Sequence, residues 1–274
     1  MNFPAYSDVT HIIQHARLTS LLQPIYNLAT NSVLGYEALV RGPKNTLLHS
    51  PYHLFKAADE FGLTTELESL CVTKAVETFS LQNLPGKLFI NVTPNYVTTQ
   101  LNDSNCFIKL LKQQGISPNR IVIELTEQSK ADDLAQLKSA IARLKTFGIQ
   151  FAIDDLGAGY SGLIQWSEIQ PDIIKLDRHF VQNCHQQPHK QHFLRAILEL
   201  ANNTQALTIV EGIENQAELE CIYNLGFNFA QGFYLGKPSE SAPIITPNMI
   251  RGLISDNISQ LIQQAEKNSQ RLLN

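Results

Sequence analysis

Residues 120–156 read RIVIELTEQSKADDLAQLKSAIARLKTFGIQFAIDDL. The stretch opens on a run of branched and apolar side chains, Arg120–Glu127, and closes on another, Ile149–Leu156. Each reads as a buried strand. Between them, Ala131–Phe147 places Leu134, Leu137, Ile141, Leu144 and Phe147 at helical spacing, and Gly148 follows as a C-cap. Strand, helix and strand in this order form a crossover unit, which makes the two strands parallel.

The same alternation extends in both directions. Leu21–Leu28, Gly35–Val40, Leu88–Thr93, Ile173–Asp177, Thr208–Ile213 and Phe229–Gly236 are further strand-like runs, bounded by Gly, Pro, Asn or Asp. Thr65–Phe79, His192–Asn202 and Asn215–Leu225 carry helical periodicity, with Gly226 as a second C-cap. Eight strands alternating with helices predict an α/β fold, a closed (β/α)8 TIM-like barrel. The link after Leu28 is short and holds Asn31-Ser32, so the first two runs read as a hairpin and the first strand runs antiparallel to the rest.

Hydrophobic residues make up 43% of the 274, enough for a packed core. Net charge is −4, from 21 Lys+Arg against 25 Asp+Glu, so no basic surplus exists to neutralise a DNA or RNA duplex. Cys71, Cys106, Cys184 and Cys221 are scattered and form no CxxC pair, which reads as reduced thiols in a cytoplasmic protein. No run approaches the roughly 20 apolar residues of a membrane helix. The N-terminus shows no basic region followed by an apolar one. The expectation is a soluble cytoplasmic module, which a longer, membrane-attached parent chain would accommodate. Residues 1–17 read as an N-terminal helical segment with Ser7 or Asp8 as its cap, 18–246 as the barrel domain, and 247–274 as a C-terminal helical extension. Both end helices are expected to pack on the outside of the barrel, the alternative being that the C-terminal one leads into another domain.

Polar residues interrupt or close the apolar strands where a barrel of this kind places its chemistry, at the C-terminal strand ends. They are Glu37 on the second run, Asn91 on the third, Glu124 and Glu127 on the fourth, and Asp154-Asp155 on the fifth. Lys175 and Asp177 follow on the sixth, Glu211 and Glu214 on the seventh, and Gln231 on the eighth. One carboxylate at a strand end is an ordinary rim residue. Several converging on one mouth repel one another and require cations. The donors are carboxylates plus one amide, without His or Cys, which suits Mg²⁺ or Mn²⁺ and argues against structural zinc. Adjacent Asp154 and Asp155 suit two ions, with one side chain bridging them.

With these residues in place, the sequence resembles the EAL domain family of bacterial cyclic-di-GMP phosphodiesterases over residues 18–245. Glu37-Ala38-Leu39 stands inside Gly35–Arg41, accompanied by Gln23-Pro24-Ile25, Ile90-Asn91-Val92, Glu124-Leu125-Thr126-Glu127 and Asp154–Ser161. Ile174–Asp177, Glu211–Glu214 and Gln231-Gly232-Phe233 complete the ordered set. The resemblance implies that Glu37, Asn91, Glu124 and Asp154 hold one metal ion, and that Asp154, Asp155 and Glu211 hold or approach a second. It implies that Lys175 orients or deprotonates the attacking water and that Gln231 positions that water or a phosphate oxygen. Arg41 and Gln23 are implied to contact the substrate, and Glu127 to brace the loop Leu156–Gly162. It also implies a homodimer formed through helices near that loop. The sequence departs from the family pattern at Gly42-Pro43, where a Trp usually follows the arginine, and at Leu156, Ala158 and Gly162, which replace Phe, Thr and Ser. None of these removes a ligand.

Three functions compete. The first is hydrolysis of cyclic-di-GMP to linear 5′-pGpG. The second is a catalytically inactive EAL domain acting as a cyclic-di-GMP receptor or protein-interaction module, a type that loses metal ligands. The third is a Lys- and Mg²⁺-dependent barrel of the enolase kind, which needs a capping domain for which the chain has no room. His11 and His15 lie one helical turn apart without an acidic partner motif and read as a surface helix. His185, His189 and His192 flank Pro188 and read as loop, and Trp166 as packing behind the loop.

Overall fold

The structure is a computed structural model describing residues 4–126, 133–157 and 162–242. Eight strands close a barrel in sequence order: β1 (Thr19–Asn27), β2 (Ser32–Arg41), β3 (Lys87–Val92), β4 (Ile121–Thr126), β5 (Gln150–Leu156), β6 (Ile173–Leu176), β7 (Leu207–Val210) and β8 (Phe229–Ala230). From β2 to β8 each pairing is parallel, whereas β1 is antiparallel to both β2 and β8. The cause is the link at 28–31, long enough for a turn and too short for a crossover. Asn31 enters the left-handed region there, at φ 51°.

The main helices are α1 (Tyr6–Gln14), α2 (Pro51–Glu60), α3 (Thr64–Leu81), α4 (Ser104–Gln113), α5 (Leu134–Lys145), α6 (Gly162–Ile169), α7 (Pro188–Asn203) and α8 (Gln216–Asn224). Helix α5 is capped by Asp133, whose side chain accepts from the Gln136 N–H. Gly148 beyond its end has φ +87°, as the C-cap reading required. The N-cap of α1 is Ala5, not Ser7 or Asp8, because the helix starts earlier, at Tyr6; Asp8 acts one turn in, accepting from the Ala5 N–H at 2.9 Å, and Val9 and Ile12 pack with Leu54 and Leu67 of α2 and α3. His11 and His15 are exposed on it. Pro188 opens α7, because a first-turn proline lacks only an N–H that the helix does not use. His189 and His192 are therefore helical, and His185 sits in a 3-10 turn. Trp166 is buried.

Inside the barrel, two layers follow the strand period of two. The lower is apolar: Ile25, Phe89, Val122, Ala152, Ile173 and Ile209 form one cluster. Two residues along each chain segment, on the same face, stand Gln23, Asn91, Glu124, Asp154, Lys175 and Glu211, with β1 counted backwards because it runs the other way. Strand β2 contributes Gly35 and then Glu37. A Cβ on Gly35 would lie 2.3 Å from the Lys87 carbonyl oxygen and 2.9 Å from the Phe89 ring, so glycine there lets Phe89 fill the layer.

The eighth strand is shorter than expected. Phe229–Ala230 pairs with β7 and β1, and the chain then leaves the barrel. Gly232 lies against Ile213, where a Cβ would meet its carbonyl oxygen at 2.2 Å, and Gly236 lies against Pro24. These close approaches turn 231–236 into a loop that crosses the mouth. Ser239 then exchanges two backbone hydrogen bonds with Leu22. Glu127, the loop residues 158–161 and the C-terminal extension 247–274 lie outside the described residues. No helix among the described residues is long and apolar enough to cross a membrane.

Candidate active site

Lys175 rises from the fully buried β6 into the centre of the polar layer. Its Nζ lies 2.7 Å from Glu124 Oε1, 2.8 Å from Glu211 Oε1, 2.9 Å from Asp154 Oδ1 and 3.3 Å from Glu37 Oε2. The ammonium is close enough to pair with all four carboxylates at once. Glu37 is held separately: Asn91 Nδ2 donates to its Oε1 at 2.8 Å and Gln231 Nε2 to its Oε2 at 2.7 Å. Because both amide nitrogens face a carboxylate, the Asn91 and Gln231 carbonyl oxygens are the atoms left for other work. Among the described residues, the Gln231 oxygen is buried without a partner, as is Glu124 Oε2.

The register explains this convergence. Asn91 pairs with Glu124 across β3 and β4, and Thr126 with Asp154 across β4 and β5. Glu211 stands one residue beyond β7, its N–H still bonded to the Leu176 carbonyl at 3.0 Å. Asp155 follows in the left-handed region at φ 55°. That turn brings its carboxylate to the same side as Asp154 instead of the opposite face.

Burial is the leading influence on every charge here. It pushes Glu124 and Glu211 well above the ordinary carboxylate range, with Lys175 opposing it, and it raises Asp154 in the same way. Asp155 is pushed up to about 6 by burial and by Asp154 beside it. At Glu37, burial acts upward too, but Lys175, Gln231 and Asn91 outweigh it and hold the group below its usual value. Burial would lower Lys175, yet the carboxylates around it hold it well above the ordinary lysine range. The floor therefore carries more carboxylate than one ammonium can offset.

Two triads of oxygen donors result, Glu37 with Glu124 and Asp154, and Asp154 with Asp155 and Glu211, each with ligand atoms within 4.8 Å of one another. Asp154 belongs to both. The unpartnered Glu124 oxygen and the all-oxygen donor set fit hard divalent cations.

Above the floor opens a cavity of about 620 Å³. Arg41 and Gln23 line it from fixed positions: Arg41 donates to the Val40 carbonyl at 2.7 Å, and Gln23 Nε2 to the Gly236 carbonyl at 3.0 Å. Phe233 of the Gln231-Gly232-Phe233 motif also lines the cavity, as do Glu68, Cys71, Phe55 and Arg178, which stand out in no sequence motif. Glu68 was concealed within the apolar periodicity of α3, where it follows Leu67. Arg178 directly follows Asp177, which was the one available signal. It pairs with Glu214 at 2.7 Å.

The family model of the EAL domain matches residues 7–238. The cyclic di-GMP phosphodiesterase PdeF of Escherichia coli is 27% identical over 231 residues, covering 82% of this chain and 30% of that protein. The chain spans between 27% and 60% of the lengths of the first curated relatives it matches. Among solved structures, a standalone EAL protein from Vibrio cholerae in its c-di-GMP-bound form superposes with TM-score 0.74 at 30% identity, covering 84% of this chain and 96% of that one. A manganese and cyclic-di-GMP complex of Klebsiella pneumoniae BlrP1 superposes with TM-score 0.74 at 27% identity, covering 81% and 56%.

Proposed function

The chain belongs to the EAL domain family, and from that premise we propose that it hydrolyses one phosphodiester bond of cyclic-di-GMP in a metal-dependent reaction, giving linear 5′-pGpG and lowering a bacterial second messenger. The observation that carries this reading is the complete donor set on one floor: Glu37, Asn91, Glu124, Asp154, Asp155 and Glu211 around Lys175. A receptor needs no such concentration of buried carboxylate, which on its own repels an anionic dinucleotide.

Glu37, Asn91, Glu124 and Asp154 would hold one Mg²⁺ or Mn²⁺ ion, and Asp154, Asp155 and Glu211 a second. Such cations supply charge neutralisation for the phosphate and acidity for the attacking water. Lys175, held as ammonium by its carboxylates, donates to that water and orients it. Gln231 presents a carbonyl oxygen, an acceptor, and so suits a water O–H better than a phosphate oxygen. Attack is in line: the water's proton passes to a floor carboxylate, a role for which Glu211 stands beside Lys175, the P–O3′ bond breaks, and the leaving 3′-oxygen takes up a proton from solvent. Arg41 meets a phosphate with a matching fork of donors, and Gln23 faces the substrate beside it. Glu127 braces the loop 156–162.

The reading extends to a cytoplasmic module of a longer parent chain that pairs with a second copy beside that loop. The exposed Leu163 and Ile164 of α6 support the pairing. The test is incubation with cyclic-di-GMP in Mg²⁺, in Mn²⁺ and in chelator, with chromatography for pGpG. Product should form only with a divalent ion. Tight binding with no turnover under any of these conditions would replace the enzyme with the receptor reading.

A further inference from the structure

Glu218 lies in the first turn of α8 and is 2% exposed. None of the ion pairs among the described residues involves it. Its carboxylate instead accepts two backbone hydrogen bonds, from the Asn183 N–H at 2.9 Å through Oε1 and from the Glu214 N–H at 3.0 Å through Oε2. The N–H of Glu218 itself donates to the Asn215 side chain at 3.0 Å, which fixes the start of the helix. Burying a carboxylate without a cation is costly unless its oxygens are hydrogen-bonded. Here both are engaged by main chain from two different loops.

Those loops are the ones that follow β6 and β7. Asn183 lies within the first, just before the 3-10 turn Cys184–Gln186, in the left-handed region at φ 57°. Glu214 belongs to the second, which starts at Glu211. They touch again where Arg178 pairs with Glu214, and where Gly212 approaches Arg178 so closely that a Cβ would lie 2.5 Å from the arginine side chain. The strands beneath them carry Lys175 and lead to Glu211, whose charged atoms are 2.8 Å apart. A carboxylate is the side chain of this length that offers two acceptor atoms at once. An apolar residue would leave two buried N–H groups unpaired.

We propose that Glu218 is a positioning residue, whose grip on Asn183 and Glu214 sets Glu211 against Lys175. This rests on the hydrolase reading above. Glu218→Ala and Glu218→Gln in the full chain test it, through steady-state kinetics, Mn²⁺ calorimetry and backbone amide exchange. Glu218→Ala should lose about tenfold to a hundredfold in kcat at saturating Mn²⁺ and substrate. KM should stay within about twofold, because Arg41 lies on another strand. Glu218→Gln keeps one acceptor and should fall between the variant and the parent, and it serves if the alanine variant does not fold. In both, the amides of Asn183 and Glu214 should exchange faster while those of β3 and β4 keep their protection, and Mn²⁺ should bind several-fold more weakly. Unchanged kcat, or unchanged exchange at both amides, would overturn the proposal. So would a rate loss accompanied by lost protection throughout β3 and β4, which marks plain unfolding. A parent protein with no turnover defeats the hydrolase reading instead, and the positioning role is then decided by amide exchange and Mn²⁺ affinity.

Discussion

The floor of the cavity and its rim are built by different means. Floor residues sit on strands or one residue beyond them, at positions set by ladder register, and they are tied to one another. Lys175 contacts four carboxylates, and Glu37 is shared by Lys175, Asn91 and Gln231. Rim residues, and Gln23 at the β1 edge of the polar layer, are not tied into that cluster: Arg41 donates to the adjacent Val40 carbonyl, Gln23 to the distant Gly236 carbonyl, and Arg178 to a half-exposed partner. Groups coupled as tightly as the floor respond together when one is changed, whereas rim groups respond singly. The floor is thus suited to chemistry that demands fixed geometry, and the rim to grip.

Glu211→Gln should therefore give the largest effect. The amide keeps the shape but removes a charge that faces Lys175 and completes the second donor triad. Turnover should fall by roughly 10²–10⁴-fold, the range for loss of one acid–base group, while cyclic-di-GMP still binds in Ca²⁺. Lys175→Ala should be as damaging to turnover. It also leaves the carboxylates without their ammonium, and breaking a buried ion cluster in this way costs about 3–5 kcal/mol. Melting should show that cost in metal-free protein and much less of it in Mn²⁺. Near-normal turnover in Glu211→Gln would break the comparison, by showing that the floor is not where the reaction occurs.

Metal removal gives the next largest effect, and its sign with pH follows from the floor. Glu124, Glu211, Asp154 and Asp155 all titrate above their ordinary range, so the metal-free fold holds protons that the unfolded chain has released. For Asp155 the window runs from the ordinary 3.8 to about 6. Across it, the contribution of this group to stability declines as pH rises. A bound cation replaces those protons. The gain in melting temperature on adding Mn²⁺ should therefore widen as pH rises from 3.8 to about 6. A gain that is flat or narrows over this range would mean that the cations bind elsewhere.

The floor was legible in the sequence because it obeys the period of two: an apolar residue, then a polar one two places on, as in Ala152 and Asp154, Ile173 and Lys175, or Ile209 and Glu211. The hairpin origin of the reversed β1 was legible from the short link alone. What the sequence concealed was long-range or local in a different sense. The end of β8 depends on Gly232 meeting Ile213, a contact that no pattern announces. Glu68 reaches the cavity from α3 within an apolar stripe. The start of α7 at Pro188 is hidden because proline disrupts helical spacing everywhere except in a first turn, where it is compatible with the helix.

Arg41→Ala should have a smaller effect than either floor change, and of another kind. The guanidinium lines the cavity, feels Glu37 but forms no direct ion pair among the described residues, so its donors remain available to a phosphate. Losing a charged hydrogen bond of about 1.5–3 kcal/mol corresponds to roughly tenfold to a hundredfold weaker binding. Turnover at saturation should change little. A kcat loss as large as that of Glu211→Gln, with affinity intact, would move Arg41 from the rim into the chemistry.

The smallest effect is expected at Gln23, which tests where the rim ends and the barrel seam begins. Strands β1 and β8 share two residue pairs, Tyr26 with Ala230 and Asn27 with Phe229. Above them the seam is held by Ser239 on Leu22, by Gly236 against Pro24, and by Gln23 Nε2 on the Gly236 carbonyl. That bond uses the donor nitrogen of the amide, so what Gln23 offers a substrate is its carbonyl oxygen, which suits a hydroxyl or base N–H and is repelled by phosphate oxygens. Gln23→Ala removes one buried hydrogen bond, worth about 1 kcal/mol, and should lower the melting temperature by roughly 2–4 °C. KM should rise by no more than about threefold, as for the loss of one neutral contact. The two readouts separate the roles. A tenfold rise in KM at unchanged melting temperature would join Gln23 to Arg41 as a substrate contact. A shift in melting alone places it with Ser239, as part of the closure that keeps the loop bearing Gln231 over the floor.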